Sequence, residues 1–411
     1  MATLIHRPEY AGYDFGPEHP FTPARLDMLL DLLRALGHEV RPQAGPAATR
    51  EEILTVHEEA YVATVEALDR GEPRPLAEAH GLGTPDNPIF PGMDLAARWL
   101  VGGALHGARL LMAGTERRVL QLGGGLHHAQ KDRAEGFCLY NDLAVAIQDM
   151  VTQGFRVAYL DIDLHHGDGV QNLFYNHDQV LTISLHESGH YLFPGTGHVQ
   201  EVGGPKALGT TVNVPLEPYT GAEDYLAAFE AVVPRALAWF QPDILLVQAG
   251  ADAHFEDPLG DLALTTQTFQ TLFNRILELA DQYTQGRVLF TLGGGYEAHV
   301  VARVWTLLTL TVLGLPLPER LPPEWAERWR KLLGPGNGAQ LHDPVPAFPA
   351  LQGGEARTRR NRDIVTRLLN HLEPHWGGMT RSPRGTRRSR SKICQGEGGW
   401  KYDFLNCALC G

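Results

Sequence analysis

Short apolar runs alternate with longer amphipathic segments along most of the chain. The apolar runs predict strands, and the segments with apolar residues every three or four positions predict helices. Strands are predicted at 3–6, 118–122, from 157 towards 165, 180–185, 244–249 and 287–292, and helices at 24–36, 49–70, 94–113, 141–153, 222–240, 266–285, 298–313 and 357–372. This alternation is typical of an α/β protein whose parallel sheet is covered by helices on both faces.

Polar or glycine-rich clusters follow five of the predicted strands. Open α/β sheets bind their ligands at the carboxyl ends of strands, so these clusters are expected to meet in one cleft. The residues expected to meet there, although up to about 170 positions separate them, are His127, His128, Asp161, Asp163, His165, Asp252 and Tyr296.

The strand that starts at 157 carries the densest polar cluster. Alternate side chains of a strand share one face, so Asp161, Asp163 and His165 are expected to point the same way. Two carboxylates and an imidazole suit a divalent metal, with zinc or ferrous iron as the leading candidates. A hydrogen-bonded polar strand end without metal is the alternative. Asp252 is the candidate third ligand, although after a strand it could instead be a helix N-cap.

Acid–base chemistry is indicated by the adjacent pair His127 and His128, which follow a triple glycine. One imidazole can act as a general base and the other as an acid or electrostatic partner. Each needs a carboxylate to orient its second nitrogen, and Asp161 and Asp168 are the candidates.

Tyr296 follows a second triple glycine, and its hydroxyl could donate to a developing oxyanion, whereas a plain buried aromatic is the alternative. A metal, an acid–base pair and an oxyanion donor are the groups that hydrolysis of an amide or ester needs, so together they predict that reaction. Cys138 is not required as a nucleophile, because the metal set already supplies one.

Composition and charge limit the cellular setting. The net charge is −13, but residues 357–411 carry 12 Lys and Arg against 4 Asp and Glu, so the preceding residues carry about −21. An acidic body attracts cations and is not expected to bind nucleic acid. The chain has four Cys, which is typical of a reduced cytoplasm rather than of a disulfide scaffold. It shows no basic segment followed by an apolar run at the start, and no long apolar stretch. We therefore expect neither a signal peptide nor a membrane span.

Several motifs, in order along residues 5–315, resemble the zinc-dependent histone deacetylase superfamily. They are Gly123-Gly-Gly-Leu-His-His-Ala129, Gly136-Phe-Cys138, Asp161-Ile-Asp-Leu-His-His-Gly-Asp-Gly169, Phe193-Pro-Gly-Thr-Gly197, Gly250-Ala-Asp252 and Gly293-Gly-Gly-Tyr296. The stretch 83–93 is similar to the bacterial acetoin-utilisation branch, protein lysine deacetylases linked to acetyl-CoA synthetase. The resemblance implies the three-layer arginase–deacetylase fold with a mainly parallel, eight-stranded sheet, and a deacetylase domain at 1–375.

The resemblance also implies residue roles. It implies zinc at Asp163, His165 and Asp252, with Fe²⁺ as the alternative ion. It also pairs His127 with Asp161 and His128 with Asp168, and has Tyr296 hold the substrate carbonyl. The substrate tunnel would be formed by Phe137, Phe193, Leu259 and the carbonyl of Gly136, with Asp86 gripping the substrate backbone at the rim and Arg25 near the acetate exit. A structural potassium would be held by Asp161, Asp163, His165, Ser184 and Leu185, and a second one would lie near Phe174 and Val180.

The expected partner is therefore an acetylated protein or peptide. Two alternatives remain: a deacetylase of small acetylated amines such as acetylpolyamines, and a metal-bound acyl-lysine reader without turnover. The segment 376–411 is predicted to be a basic, disordered tail, and its Cys394, Cys407 and Cys410 give only a weak metal signal. The oligomeric state does not follow from the sequence.

Overall fold

The computed structural model describes residues 2–345, 347 and 353–377, and its strands form one parallel sheet. The strand order is β1-β2-β7-β6-β3-β4-β5. The strands are β1 Ala2–Ile5, β2 Arg118–Gln121, β3 Val157–Asp161, β4 Val180–Glu187, β5 Thr211–Leu216, β6 Ile244–Gln248 and β7 Val288–Thr291. The helices are α1 Ala24–Ala35, α2 Arg50–Ile53, α3 Glu59–Asp69, α4 Met93–Ala113, α5 Asp142–Thr152, α6 Asp168–Phe174, α7 Ala222–Phe240, α8 Thr266–Thr284, α9 Ala298–Leu313, α10 Pro323–Leu333 and α11 Gly354–Trp376.

The central strands are apolar throughout because both of their faces are covered. In β6, Leu245 and Val247 belong to one hydrophobic core, whereas Ile244 and Leu246 belong to another on the opposite face. The first core includes side chains of α1, α7, α8 and α9, and the second includes side chains of α4, α5 and α6. The predicted α/β architecture with three layers is thus confirmed.

The sheet has seven strands among the described residues, one fewer than the resemblance implied. Beyond the β1 edge, Ile5 makes only an isolated bridge with Gln43. Gln43 makes both of its backbone hydrogen bonds there, donating to Leu4 and accepting from His6, and among the described residues this single pair does not extend into an eighth strand.

Other differences from the predicted elements are local. The helix expected over 49–70 is two helices, α2 and α3, separated at 54–58, although the capping box that starts it, Thr49 with Glu52, is present. Strand β3 ends at Asp161, so Asp163 and His165 follow the strand rather than alternate along it. Strand β5 and helices α6 and α10 were not predicted.

The strand order places the polar clusters side by side. Strands β2, β7, β6 and β3 are consecutive neighbours, and the segments after their carboxyl ends hold the histidine pair, Tyr296, Asp252 and Asp163. Among the described residues, no helix is both long and apolar enough to cross a membrane. Most of the predicted tail, from residue 378 on, with its three cysteines, lies outside the described residues.

Candidate active site

Three buried side chains at the carboxyl edge of the sheet form a candidate metal centre. Asp163, His165 and Asp252 each offer one ligand atom, and these atoms lie within 4.8 Å of one another. Nδ1 of His165 is 3.3 Å from Oδ1 of Asp163 and 3.3 Å from Oδ2 of Asp252. Two carboxylates and one imidazole are a donor set that suits a divalent cation and leaves coordination positions open.

The free lone pairs of these carboxylates are used to fix their orientation. Oδ2 of Asp163 accepts hydrogen bonds from Nε2 of Gln248 at 2.6 Å and from the backbone N–H of Gly294 at 3.1 Å. Oδ1 of Asp252 accepts one from the N–H of Leu164 at 3.0 Å. Such outer contacts hold metal ligands in place before the ion binds.

The electrostatics of the three groups favour a bound cation. Burial, followed by the neighbouring charge of Asp163, raises the pKa of Asp252 to about 7. Burial alone would lower the pKa of His165, but hydrogen bonds with Asp163 and Asp252 outweigh it and raise that pKa to about 10. Two carboxylates this close and this buried repel each other, and a cation between them removes that cost.

The backbone leaves room for these carboxylates only because glycine is present. A Cβ on Gly294 would lie 2.0 Å from Oδ2 of Asp252, and a Cβ on Gly250 would lie 2.1 Å from Oδ2 of Asp163. Glycine at these positions lets the backbone approach the carboxylates closely, and the three residues fit a metal ion.

The histidine pair lies beside the candidate metal centre, and each imidazole is joined to a carboxylate. Nδ1 of His127 donates to Asp161 at 2.7 Å, and Nδ1 of His128 donates to Asp168 at 2.7 Å. Asp168 also accepts from Nε2 of Gln130 at 2.7 Å. These are the pairings that the resemblance implied, and they use Nδ1 of each ring, while Nε2 of His127 lies 3.8 Å from Oδ1 of Asp163.

The two histidines have opposite pKa shifts. Burial would lower the pKa of His127, but the charges of Asp161 and Asp163 outweigh it and raise that pKa to about 9. For His128, burial and the charge of His127 lower the pKa to about 4. A neighbouring pair with separated pKa values is the arrangement expected of an acid and a base.

A cavity of about 250 Å³, here called the tunnel, leads to this centre. It is lined by Asp86, His128, Gly136, Phe137, His165, Leu192, Phe193, Leu259 and Tyr296. His128 therefore faces the tunnel, whereas His127 does not line it. Every residue that the resemblance assigned to the tunnel and its rim contributes to this cavity, and Leu192 was not predicted.

Aromatic rings narrow the tunnel. The rings of Phe137 and Tyr296 are 5.7 Å apart, and those of His128 and Phe193 are 5.0 Å apart, both nearly perpendicular. Burial, followed by the charges of Asp252 and Asp163, raises the pKa of Tyr296 well above its ordinary value. Its hydroxyl therefore stays protonated and able to donate.

Arg25 lies in a neighbouring cavity instead of the tunnel. This second cavity holds about 40 Å³ and is lined by Tyr10, Tyr13, Phe21, Thr22, Pro23, Arg25, Leu26, Leu100, Gly123, Gly124, Leu292, Gly293 and Trp305. The buried guanidinium donates to the carbonyls of Gly293 and Gly295, at 3.2 and 2.8 Å. Arg25 thus fixes the backbone of the loop that carries Tyr296.

Three of the residues expected to hold potassium are neighbours in the sheet. Asp161 in β3 is paired in register with Ser184 in β4, next to Leu185. For the second expected site, Phe174 ends α6, Val180 begins β4, and both are buried.

Several supporting residues were not predicted. The hydroxyl of Tyr159 donates to Asp161 at 2.5 Å, and Asp142 accepts the N–H groups of Gly125 and Leu126 in the first glycine loop. Gln248 is the one polar residue of β6, and Tyr159 lies two positions before Asp161 on one strand face. Both signals were present in the sequence.

The chain has recognisable relatives. The family model described as histone deacetylase domain matches residues 19–312. The acetoin utilization protein AcuC of Bacillus subtilis is 39% identical over 376 residues, which is 90% of this chain and 96% of that protein. AcuC of Staphylococcus xylosus is 38% identical over 335 residues, 79% of this chain and 86% of the relative.

Solved structures agree with the fold. The crystal structure of an HDAC homolog complexed with SAHA has a TM-score of 0.81 at 29% identity, and covers 89% of this chain and 99% of its own. The HDAC homolog from Aquifex aeolicus has a TM-score of 0.79 at 29% identity, covering 88% and 99%.

Proposed function

Because this chain belongs to the histone deacetylase family, we propose that it removes acetyl groups from the lysine side chains of proteins. The family is generally metal-dependent. The observation that carries the proposal is the meeting of Asp163, His165 and Asp252 at the tunnel that His128 and Tyr296 line. Zinc is the proposed ion, with Fe²⁺ as the alternative, and the cytoplasm is the proposed location.

The ion's chemistry would be that of a Lewis acid. A divalent cation held by these three residues would polarise a carbonyl and make water more acidic. The chain's own groups supply the rest of the reaction.

Proton transfer is assigned to the histidine pair. His128 faces the tunnel and has a lowered pKa, so its neutral Nε2 takes the proton from the attacking water. The same nitrogen then delivers that proton to the departing lysine amine. His127, whose pKa is raised by Asp161 and Asp163, stays protonated and offsets the negative charge that develops.

The remaining residues hold the substrate. The hydroxyl of Tyr296 donates to the acetyl oxygen, where negative charge grows in the transition state. Phe137 and Phe193 enclose the methylene stem of the lysine and exclude water. Asp86 is exposed at the rim, where its carboxylate can accept a backbone N–H of a peptide. Potassium at Asp161, Asp163, His165, Ser184 and Leu185 remains part of the proposal.

The test is deacetylation of an acetyl-lysine peptide by the purified protein loaded with zinc or Fe²⁺. We expect Tyr296→Phe to lower kcat by about 10²- to 10³-fold, as loss of one oxyanion donor does. His128→Ala is expected to cost about 10²- to 10⁴-fold. Tyr283→Phe, on α8, is the matched control and is expected to keep full activity. Full activity in both His128→Ala and Asp252→Ala would refute the proposal.

The same assay separates the two alternatives. The acidic body suits a cationic polyamine, whereas Asp86 at the rim favours a peptide backbone, so kcat/KM is expected to be higher for the peptide. A higher value for an acetylpolyamine would reassign the substrate. Tight binding of acetyl-lysine peptide with no acetate released would indicate a reader.

A further inference from the structure

Two loops that line the tunnel are joined through Asp257. Its Oδ2 accepts the backbone N–H of Tyr296 at 2.7 Å, and its Oδ1 accepts the N–H of Leu259 at 3.1 Å. Asp257 is buried. The backbone of Tyr296 is thus held by the segment that also contributes Leu259 to the tunnel lining.

His299 makes a second connection across the same junction. Its Nδ1 contacts Glu297, the residue after Tyr296, at 2.8 Å, and its Nε2 contacts Glu256, the residue before Asp257, at 3.1 Å. The imidazole is 92% buried by side-chain area, whereas the side chains of Glu256 and Glu297 are 39% and 34% exposed, so the ring is the shielded part of this connection. Glu297 is next to Tyr296 in the chain and Glu256 is next to Asp257, so the bonds of His299 link the same two segments that Asp257 links.

The two contacts require a charged ring. A carboxylate accepts hydrogen bonds and does not donate, so both ring nitrogens must carry a proton. The groups that face the ring are Glu297, Glu256 and Arg303, whose guanidinium is 3.8 Å from Glu256 and 2.5 Å from Asp343. Burial and Arg303 lower the pKa of His299, but hydrogen bonds with Glu297 and Glu256 outweigh them and raise it.

We propose that His299 is a positioning residue for Tyr296, and that its imidazolium fastens the Tyr296 loop to the Glu256–Asp257 segment. The inference rests on the proposed function only where it concerns turnover. The connection is closed while His299 is protonated and loses one of its two bonds as pH rises through the raised pKa. The hydroxyl of Tyr296 then has less fixed geometry towards the acetyl oxygen.

The kinetic test compares His299→Ala with His299→Arg on an acetyl-lysine peptide. We expect His299→Ala to lower kcat about 10-fold with KM little changed, because the tunnel walls remain and only transition-state positioning is lost. His299→Arg keeps a cation with several N–H donors that never deprotonates, so it is expected to restore kcat and to lose part of the decline at alkaline pH. His371→Gln, an exposed histidine of α11, is the control.

Hydrogen exchange tests the connection independently of turnover. The peptide that covers 293–299 is expected to exchange at least severalfold faster in His299→Ala than in the wild type or His299→Arg. In the wild type, the protection of this peptide from exchange is expected to fall at alkaline pH, after correction for the intrinsic exchange rate. Unchanged protection and unchanged kcat in His299→Ala would overturn the inference. Faster exchange in a protein that releases no acetate would instead refute the proposed function and leave the connection standing.

Discussion

At the scale of single residues, the candidate metal centre depends on glycines that leave space for its carboxylates. Gly294 has no Cβ, and an added one would lie 2.0 Å from Oδ2 of Asp252. We expect Gly294→Ala to displace that carboxylate, to weaken metal binding at least about 10-fold, as disturbing a ligand's support does, and to lower kcat in parallel.

Gly12→Ala is the matched control, since its Cβ would meet only Ala96, at an ordinary 3.7 Å. Chelator competition gives the metal affinity of each variant. Equal affinity in Gly294→Ala and the wild type would show that the carboxylate of Asp252 can move without loss, contrary to this account.

Single residues were the part of the site most accessible from the sequence. Two aspartates and a histidine at alternate positions, and adjacent histidines after glycines, are rare patterns with direct chemical meaning. The argument from alternation along a strand was partly wrong. Strand β3 ends at Asp161, and the loop that follows it brings Asp163 and His165 together. Supporting groups such as Asp257 and His299 depend on packing between distant loops, which no local pattern encodes.

At the scale of elements, the break between α2 and α3 has a clear cause. His57 lies in that break and is buried. Its Nδ1–H donates to the carbonyl of Gln130 at 2.9 Å, and its Nε2 accepts the N–H of Asn141, the N-cap of α5, at 3.0 Å. The ring thereby ties the loop after the histidine pair to α5, and a continuous helix would place it elsewhere.

This tie makes a prediction about stability and pH. Burial lowers the pKa of His57 to about 4, against an ordinary 6.5. The unfolded chain therefore takes up a proton first as pH falls, and between pH 6.5 and 4 the folded state loses up to about 3 kcal/mol from this group. His57→Gln can both donate and accept but does not titrate, so its melting temperature is expected to fall less steeply over that range.

Thermal melts of the two proteins between pH 4.5 and 7.5 provide the measurement, with the exposed His371→Gln as control. The wild-type and His371→Gln curves are expected to run together. Parallel pH dependence in His57→Gln would mean that His57 is not kept neutral in the folded protein.

Elements with strong apolar runs were predicted well, and weak or short ones were not. Strand β5 contains Pro215 and a buried Asn213, which argue against a strand, yet β5 lies at the sheet edge where a proline is tolerated. Helix α6 has only seven residues, and α10 has eleven residues of which only Trp325 and Leu333 are buried, so neither has a strong apolar pattern.

At the scale of the whole molecule, topology assembles the site. Residues from His127 to Tyr296 meet because β2, β7, β6 and β3 are neighbours, an order unlike their order in the chain. The alternation of strands and helices predicted a parallel α/β sheet, but periodicity does not say which strands pair, so only the resemblance implied the specific fold. In place of the eighth strand that it implied, the described residues have an isolated bridge between Ile5 and Gln43 at the β1 edge.

The central claim is that Asp163, His165 and Asp252 bind one catalytic ion at the end of an acyl-lysine tunnel. The most direct measurement is a crystal structure with a bound hydroxamate, in which anomalous scattering identifies the metal. The account predicts a single zinc or iron ion bound by those three side chains, with the hydroxamate between Phe137 and Phe193. An ion bound elsewhere, or these three side chains without an ion in crystals of metal-loaded, active protein, would contradict it.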